Sequence, residues 1–180
     1  SLVVDSVSVS PCVEPTVEVG DSEDTAVTVV SVVIGYVVVD LPPSHYRADY
    51  LFELFLLNQS AGAPAPPIDD LLIYRYSAEH YLLVVNATTQ DKDLAWINKH
   101  ASGKAVSIVS ESDQTGQIAI QGPMAQTVLA RLTDLNLDDI AYYHFTETQI
   151  KGIPTLLSRT GYTGEDGFEC YVPANYTAEL

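Results

Sequence analysis

The seven residues Ala61 to Pro67, AGAPAPP, form a joint that cannot continue a helix, and the patterning of the chain differs on its two sides. Before the joint, Ser1 to Val39 is dominated by Val, Ser and Thr and is broken at Pro11, Pro15, Gly20 and Gly35. It reads as short strands and turns, or as no stable structure. Tyr46 to Leu57 adds an aromatic and leucine cluster. After the joint the signals become regular, so a boundary belongs there. Residues 1–60 stand apart as an atypical acidic, Val/Ser-rich segment.

Past the boundary, Leu71 to Tyr74 and Tyr81 to Val85 are two apolar runs of strand length around a Ser77 to His80 turn, which predicts a hairpin. Thr88-Thr89-Gln90-Asp91 has the Thr-x-x-Asp form of a helix start. Leu94, Ile97 and Ala101 then follow at helical spacing before Gly103. Val106 and Ile108, then Ile118 and Ile120, alternate as strands. Gly122-Pro123 opens a second helix with Ala125, Val128, Leu129 and Leu132 on one face. Gln149 to Val172 reads as a hairpin around Lys151-Gly152 and a further strand after a glycine-spaced loop. The alternation predicts an α+β fold.

The formal net charge is -16, and it is uneven: residues 1–60 hold nine acids and one base, residues 61–180 fifteen acids and seven bases. Such a chain repels nucleic-acid phosphates and anionic membranes, so neither is an expected partner. Thr25 to Val39 is uncharged, but its fifteen residues fall short of the roughly 20 that a membrane-spanning helix needs, and its Val content suits a strand. Cys12 and Cys170 have no partner at the spacing of a metal knuckle or redox pair and read as free thiols. The first residue is Ser and no basic, then apolar, leader follows, so no signal or transit peptide is read.

The most unusual segment is Ser158 to Glu169, SRTGYTGEDGFE. Glycine at every third position lets the backbone take positive φ and approach a ligand closely, and three carboxylates and a tyrosine surround the turn. It suits a small-molecule site, or a strand connection with acidic turn residues. Asp69-Asp70, following a Pro-rich joint, reads from composition first as a solvated turn and only second as a site. Tyr142-Tyr143 offers a flat face for a heteroaromatic ring, or core packing plus one exposed ring. His45, His80, His100 and His144 show no i, i+4 pairing and no accompanying cysteine, so they give no support to metal ligation. No phosphate-binding loop, dinucleotide fingerprint or nucleophile elbow is present in the sequence.

SRTGYTGEDGFE resembles the signature of the T-protein family of the glycine cleavage system. IDDLLIYR (Ile68 to Arg75), YLLVVNATTQDKDLAWI (Tyr81 to Ile97), IAIQGPMAQ (Ile118 to Gln126) and IAYYHF (Ile140 to Phe145) resemble further family segments in the right order and spacing. The resemblance implies an incomplete folate-binding T-protein-like fold over residues 61–180. It implies an aminomethyltransferase that takes the aminomethyl group from the lipoylated H-protein, passes the one-carbon unit to tetrahydrofolate and releases ammonia. Carried over by motif, Asp70 is the catalytic carboxylate, Glu169 grips the pterin's N–H edge, Tyr142 or Tyr143 and Tyr74 line the pocket, and Asn86 belongs to the same site.

A carboxylate accepting two N–H groups gains charge-assisted hydrogen bonds of roughly 1.5 to 3 kcal/mol, and a second one can stabilise positive charge that develops at the one-carbon unit. Neighbouring residues on an extended strand point to opposite faces, so Asp69 is expected to turn away from Asp70. The family places the protein in the cytoplasm if bacterial and in mitochondria if eukaryotic, the cytoplasm being preferred. A folate-binding paralogue of iron-sulfur assembly, the folate domain of a dimethylglycine or sarcosine dehydrogenase, and an inactive binding module are the alternatives. The family's N-terminal segments are not found in Ser1 to Pro67, and Pro66-Pro67 replaces the usual Gly-Gly. Residues 1–60 are therefore expected to be a lineage-specific replacement or, preferably, a foreign reading frame, without settled order.

Overall fold

The computed structural model describes residues 2–7, 16–19, 27–32, 35–40, 69–77, 79–103 and 106–180, with only the strand backbone described before residue 69. Within these residues the strands are β1 (Leu2–Val7), β2 (Thr16–Val19), β3 (Val27–Val32), β4 (Gly35–Asp40), β5 (Leu71–Arg75), β6 (His80–Val85), β7 (Ser107–Ser110), β8 (Thr115–Gln121), β9 (His144–Ile150), β10 (Ile153–Ser158) and β11 (Gly167–Pro173). The helices are α1 (Gln90–Ala101) and α2 (Ala125–Leu129). All strand pairs are antiparallel, in the order β2-β3-β8-β11-β10-β9-β1-β5-β6-β4-β7.

The expected β5–β6 hairpin forms, with Leu71 opposite Val85 and Arg75 opposite Tyr81. Its turn is closed by Tyr76 and Ser77 N–H groups donating to the His80 carbonyl. The β9–β10 hairpin turns at Lys151 and Gly152, with φ of 51° and 79° between paired Ile150 and Ile153. Two consecutive left-handed residues match the right-handed twist of the flanking strands. The uncharged stretch before the joint holds β3 and β4, and among the described residues no helix is long and apolar enough to cross a membrane. The Tyr46 to Leu57 cluster, the joint itself and Cys12 lie outside the described residues.

Two helix expectations need correction. The first helix starts at Gln90 with Thr89 at its N-cap, and no side-chain cap bond forms there. The Thr89 hydroxyl is drawn instead to the Asp69 carboxylate, 2.6 Å away. The second helix is only five residues long, and Leu132 lies in the turns that follow it. Leu132 nevertheless packs on the same cluster as Ala125 and Leu129, so the apolar stripe is used without a continuous helix.

Strand alternation sorts the core into layers. Ile118, Ile120, Leu157, Phe168 and Cys170 face α2 with Leu129 and Leu137. Phe145, Leu156 and Tyr171 lie in a cluster with Tyr74, Leu82 and Val84, which brings the β8–β11 part of the sheet against the β5–β6 part. On the far side of β5–β6, Leu71, Tyr81, Leu83 and Val85 pack with Ile97 of α1. In the middle layer the Tyr74 ring meets Phe145 at 5.0 Å and Tyr171 at 5.7 Å, both edge to face. Such pairs contribute about 0.5 to 1.5 kcal/mol each beyond burial and fix the Tyr74 ring beside Tyr171.

Candidate functional site

Two polar clusters share β5. The first sits just before that strand. The Asn86 amide nitrogen, directly after β6, lies 2.8 Å from Asp69 Oδ1, 3.1 Å from Asp70 Oδ1 and 3.2 Å from the Asp70 carbonyl. Both carboxylates therefore converge on Asn86, which corrects the expectation that Asp69 turns away: the pair precedes the strand, where side-chain alternation does not hold. Asp69 Oδ1 also accepts the Asp70 N–H at 2.9 Å, and its Oδ2 accepts from Thr89 and from Lys92 at 2.8 Å.

Burial would raise the Asp69 carboxyl, but Lys92, Thr89, Asn86 and the Asp70 N–H outweigh it and hold the group well below the usual carboxylate range. Asp69 is thus committed to anchoring the turn, while the Asp70 side chain accepts from Asn86. Behind them Asp93 is buried, its Oδ2 3.1 Å from Thr89 Oγ1 and its Oδ1 without a hydrogen bond, with the Lys92 ammonium 3.5 Å from it. Burial and the Asp69 charge push the Asp93 carboxyl up.

The second cluster surrounds Glu169, which is 5% exposed. Gln117 Nε2 donates to Oε1 at 2.7 Å, while the Thr160 and Tyr171 hydroxyls donate to Oε2 at 2.5 and 3.2 Å. Tyr171 Oη lies 2.9 Å from Tyr74 Oη, and the Ser158 and Thr160 hydroxyls are 2.9 Å apart. Burial raises the Glu169 carboxyl, against the three donors that lower it. The carboxylate in turn joins burial in pushing the neighbouring Cys170 thiol up to about 12. An ionised carboxylate has about four acceptor positions, and three of these are already filled by protein donors. About 13 Å of strand separates Asp70 from Tyr74, four residues on, so a ligand reaching both clusters is an elongated one.

The glycine-spaced loop lies over Glu169. Gln121, buried, crosses its neck: Nε2 donates to the Thr160 carbonyl at 3.1 Å and the Thr163 hydroxyl donates to Oε1 at 3.3 Å. A Cβ on Gly161 would stand 1.8 Å from Gln121 Oε1, and one on Gly167 would meet the same amide at 2.6 Å. Positive φ is needed only at Gly164, at 80°, so two of the three glycines serve close approach rather than a left-handed backbone. Arg159 ties the loop down. Its Nε and Nη2 pair with both oxygens of Asp166 at 2.9 and 2.6 Å, Nη1 reaches the Leu137 and Ile140 carbonyls, and Nη2 also reaches Gln126.

The expected site residues fall as follows. Asp70 and Asn86 are together in the first cluster, and Glu169 and Tyr74 in the second, where Tyr74 is fully buried behind Tyr171. Tyr142 is 62% exposed with its ring edge-on to Tyr143, 4.5 Å between centroids, and Tyr143 takes a left-handed φ of 59° and packs on the Tyr74 cluster. Sequence reasoning did not single out Gln117, Thr160 and Tyr171, the partners of Glu169, or Tyr162, whose half-exposed phenol is raised by burial and by the Glu169 charge. A signal for Gln117 existed: Thr115, Gln117 and Gln121 put polar groups on one face of a strand whose other face is Ile118 and Ile120. Among the described residues no three His, Cys, Asp or Glu side chains gather as a metal would need.

A folded antiparallel sheet with helices outside and a buried carboxylate under a glycine-spaced loop defines an α+β, T-protein-like domain. The fold is shared with the glycine cleavage system aminomethyltransferase T from Bartonella henselae, at TM-score 0.67 and 25% identity over 84% of this chain and 44% of that one. It is also shared with the heterotetrameric sarcosine oxidase from Corynebacterium sp. U-96, at TM-score 0.66 and 17% identity over 87% of this chain and 80% of that one. Residues 56–180 match the GCVT N-terminal domain, and the chain belongs to that family, the T-protein family of the glycine cleavage system.

Relatives bearing the name aminomethyltransferase include one from Desulfitobacterium hafniense, 49% identical over 113 residues, which is 63% of this chain and 31% of that protein. Another, from Thermoanaerobacter pseudethanolicus, is 43% identical over 138 residues, 76% of this chain and 36% of that protein. The chain spans about a third of the length of the curated relatives it matches.

Proposed function

We propose that the chain forms the tetrahydrofolate-binding part of an aminomethyltransferase that accepts the aminomethyl group from a lipoylated H-protein. The observation that carries this reading is Glu169, a buried carboxylate ringed by three donors at the foot of the glycine-spaced loop, with Tyr162 within reach of its charge and Tyr143 packed on the neighbouring Tyr74 and Tyr171 cluster. A reduced pterin fits that acceptor: its pyrimidine ring is flat and presents N–H groups along one edge, and among the described residues Glu169 keeps an acceptor position for it. Tetrahydrofolate supplies the nucleophilic nitrogens that receive the one-carbon unit.

The rest belongs to the chain's own residues. Glu169 orients the heterocycle through charge-assisted hydrogen bonds, with the Tyr143 and Tyr162 rings as apolar walls. In this reading Asp70, which accepts from Asn86, stabilises developing positive charge and accepts a proton at its Oδ atoms. Asp69 holds the turn from which Asp70 acts. The names of the relatives and the family match support the aminomethyltransferase reading.

Calorimetry with tetrahydrofolate tests the reading. Glu169→Ala should weaken binding by about 1.5 to 3 kcal/mol, the scale of a charged hydrogen-bond pair left unmatched. Unchanged affinity would mean that the ligand's N–H edge is read elsewhere.

A further inference from the structure

We infer that Tyr74 and Tyr171 form a reversible hydrogen-bond chain that opens an acceptor position on Glu169 for an incoming ligand, so that Tyr74 positions a ligand it does not touch. The inference rests on Glu169 being the carboxylate that receives the ligand's N–H edge.

Protons and lone pairs around Glu169 have to balance. A ligand with two parallel N–H groups needs one acceptor position on each carboxylate oxygen. Among the described residues Oε1 takes one donor, Gln117, and keeps a position, while Oε2 takes Thr160 and Tyr171 and is full. Two-pronged binding therefore requires one Oε2 donor to leave. The Tyr171 contact, at 3.2 Å, is the longest of the three and so the least costly to give up.

The proton that leaves has somewhere to go. A hydroxyl donates once, and either phenol can be the donor across the 2.9 Å between Tyr171 Oη and Tyr74 Oη. With Tyr171 donating to Glu169, Tyr74 donates to Tyr171. When Tyr171 turns its proton to Tyr74, the Tyr74 proton turns to Thr160 Oγ1, 3.5 Å away; Thr160 has one proton, which stays on Glu169, so its other contact, to Ser158 at 2.9 Å, is one in which Ser158 donates. Every hydroxyl in the chain keeps an acceptor, and Oε2 gains a vacancy. Only two O–H bonds rotate. Both phenols are buried, where a proton without an acceptor is costly, so Tyr171 can release Glu169 readily because Tyr74 is there to receive.

The test is a double-mutant cycle on this chain, read by tetrahydrofolate calorimetry, with Glu169→Gln as the control. Tyr74→Phe should weaken binding roughly 2- to 10-fold, the scale of one hydrogen bond. Tyr171→Phe, which removes the occupying donor, should bind no more weakly than the wild type. Once Tyr171→Phe is in place, adding Tyr74→Phe should cost nothing further. An equal penalty for Tyr74→Phe in both backgrounds, or none in either, overturns the chain.

Proton NMR gives a second reading without any variant: adding tetrahydrofolate should shift the buried Tyr74 and Tyr171 hydroxyl protons together, and unmoved resonances overturn the inference. If Glu169→Gln binds like the wild type, the underlying reading of Glu169 fails. A wild-type chain that does not bind at all sinks both, whereas weakening by Glu169→Gln without the expected cycle sinks the chain alone.

Discussion

At the scale of residues, the Asp69-Asp70 pair shows how two identical side chains acquire different work. Asp69 is held by Lys92, Thr89, Asn86 and the next N–H, and Asp70 by Asn86. Asp70→Asn, in a chain extended to the length of its relatives, should lower kcat for methylenetetrahydrofolate formation by roughly 10² to 10⁴, the range for a positioned acid or base. Asp69→Asn should act chiefly on folding. Its carboxyl is depressed in the folded state, so its contribution is full above the unfolded pKa of about 3.9 and is lost as pH falls through the folded value. Unfolding free energies of the wild type and Asp69→Asn should therefore differ at neutral pH by roughly 1 to 2 kcal/mol, and the gap should narrow progressively as pH falls below about 4. Glu169 has the opposite sign, since burial raises it and its ionisation on folding opposes stability as pH rises through its window. A gap between the two chains that persists undiminished in acid would remove Asp69 from this role.

At the scale of elements, Gln121 packs against both ends of the glycine-spaced loop, touching Thr160, Gly161, Thr163 and Gly167. Gly161→Ala should cost about 1 to 3 kcal/mol in urea denaturation, since the new methyl displaces the Gln121 amide from its partners. Adding Gln121→Ser removes the collision, so the double variant should lose less than the sum of the singles. A full sum would mean that the two side chains do not meet. Much of this was legible beforehand. The β5–β6 and β9–β10 hairpins announced themselves through apolar runs around turn residues, and the loop through its glycine spacing. The partners of Glu169 were not legible, because Gln117, Thr160 and Tyr171 come from β8, the loop's start and β11, and only the register of β8 on β11 places Gln117 opposite Tyr171. The start of α1 misled for a related reason: Thr89 serves Asp69, twenty positions earlier, before it serves its own helix.

At the scale of the whole molecule, β1 lies between β9 and β5, β3 pairs with β8, and β4 lies between β6 and β7. We propose that residues 1–60 and 61–180 still differ in stability. Hydrogen exchange followed by mass spectrometry should find the amides of β8 to β11 slowest and those of residues 1–60 much faster. Equal protection would make the early strands full members of one cooperative unit. Arg159 carries a last consequence. Its five N–H groups are matched by five acceptors in Asp166, Gln126 and the carbonyls of Leu137 and Ile140, so the cation nearest Tyr142 is spent on holding loops together. The chain as a whole carries a charge of -16, and the glutamate tail of a folate is anionic as well. Attraction at a distance is therefore absent from the encounter, and added salt, by shortening the Debye length to about 10 Å at 0.1 M, should tighten binding of tetrahydrofolate rather than weaken it.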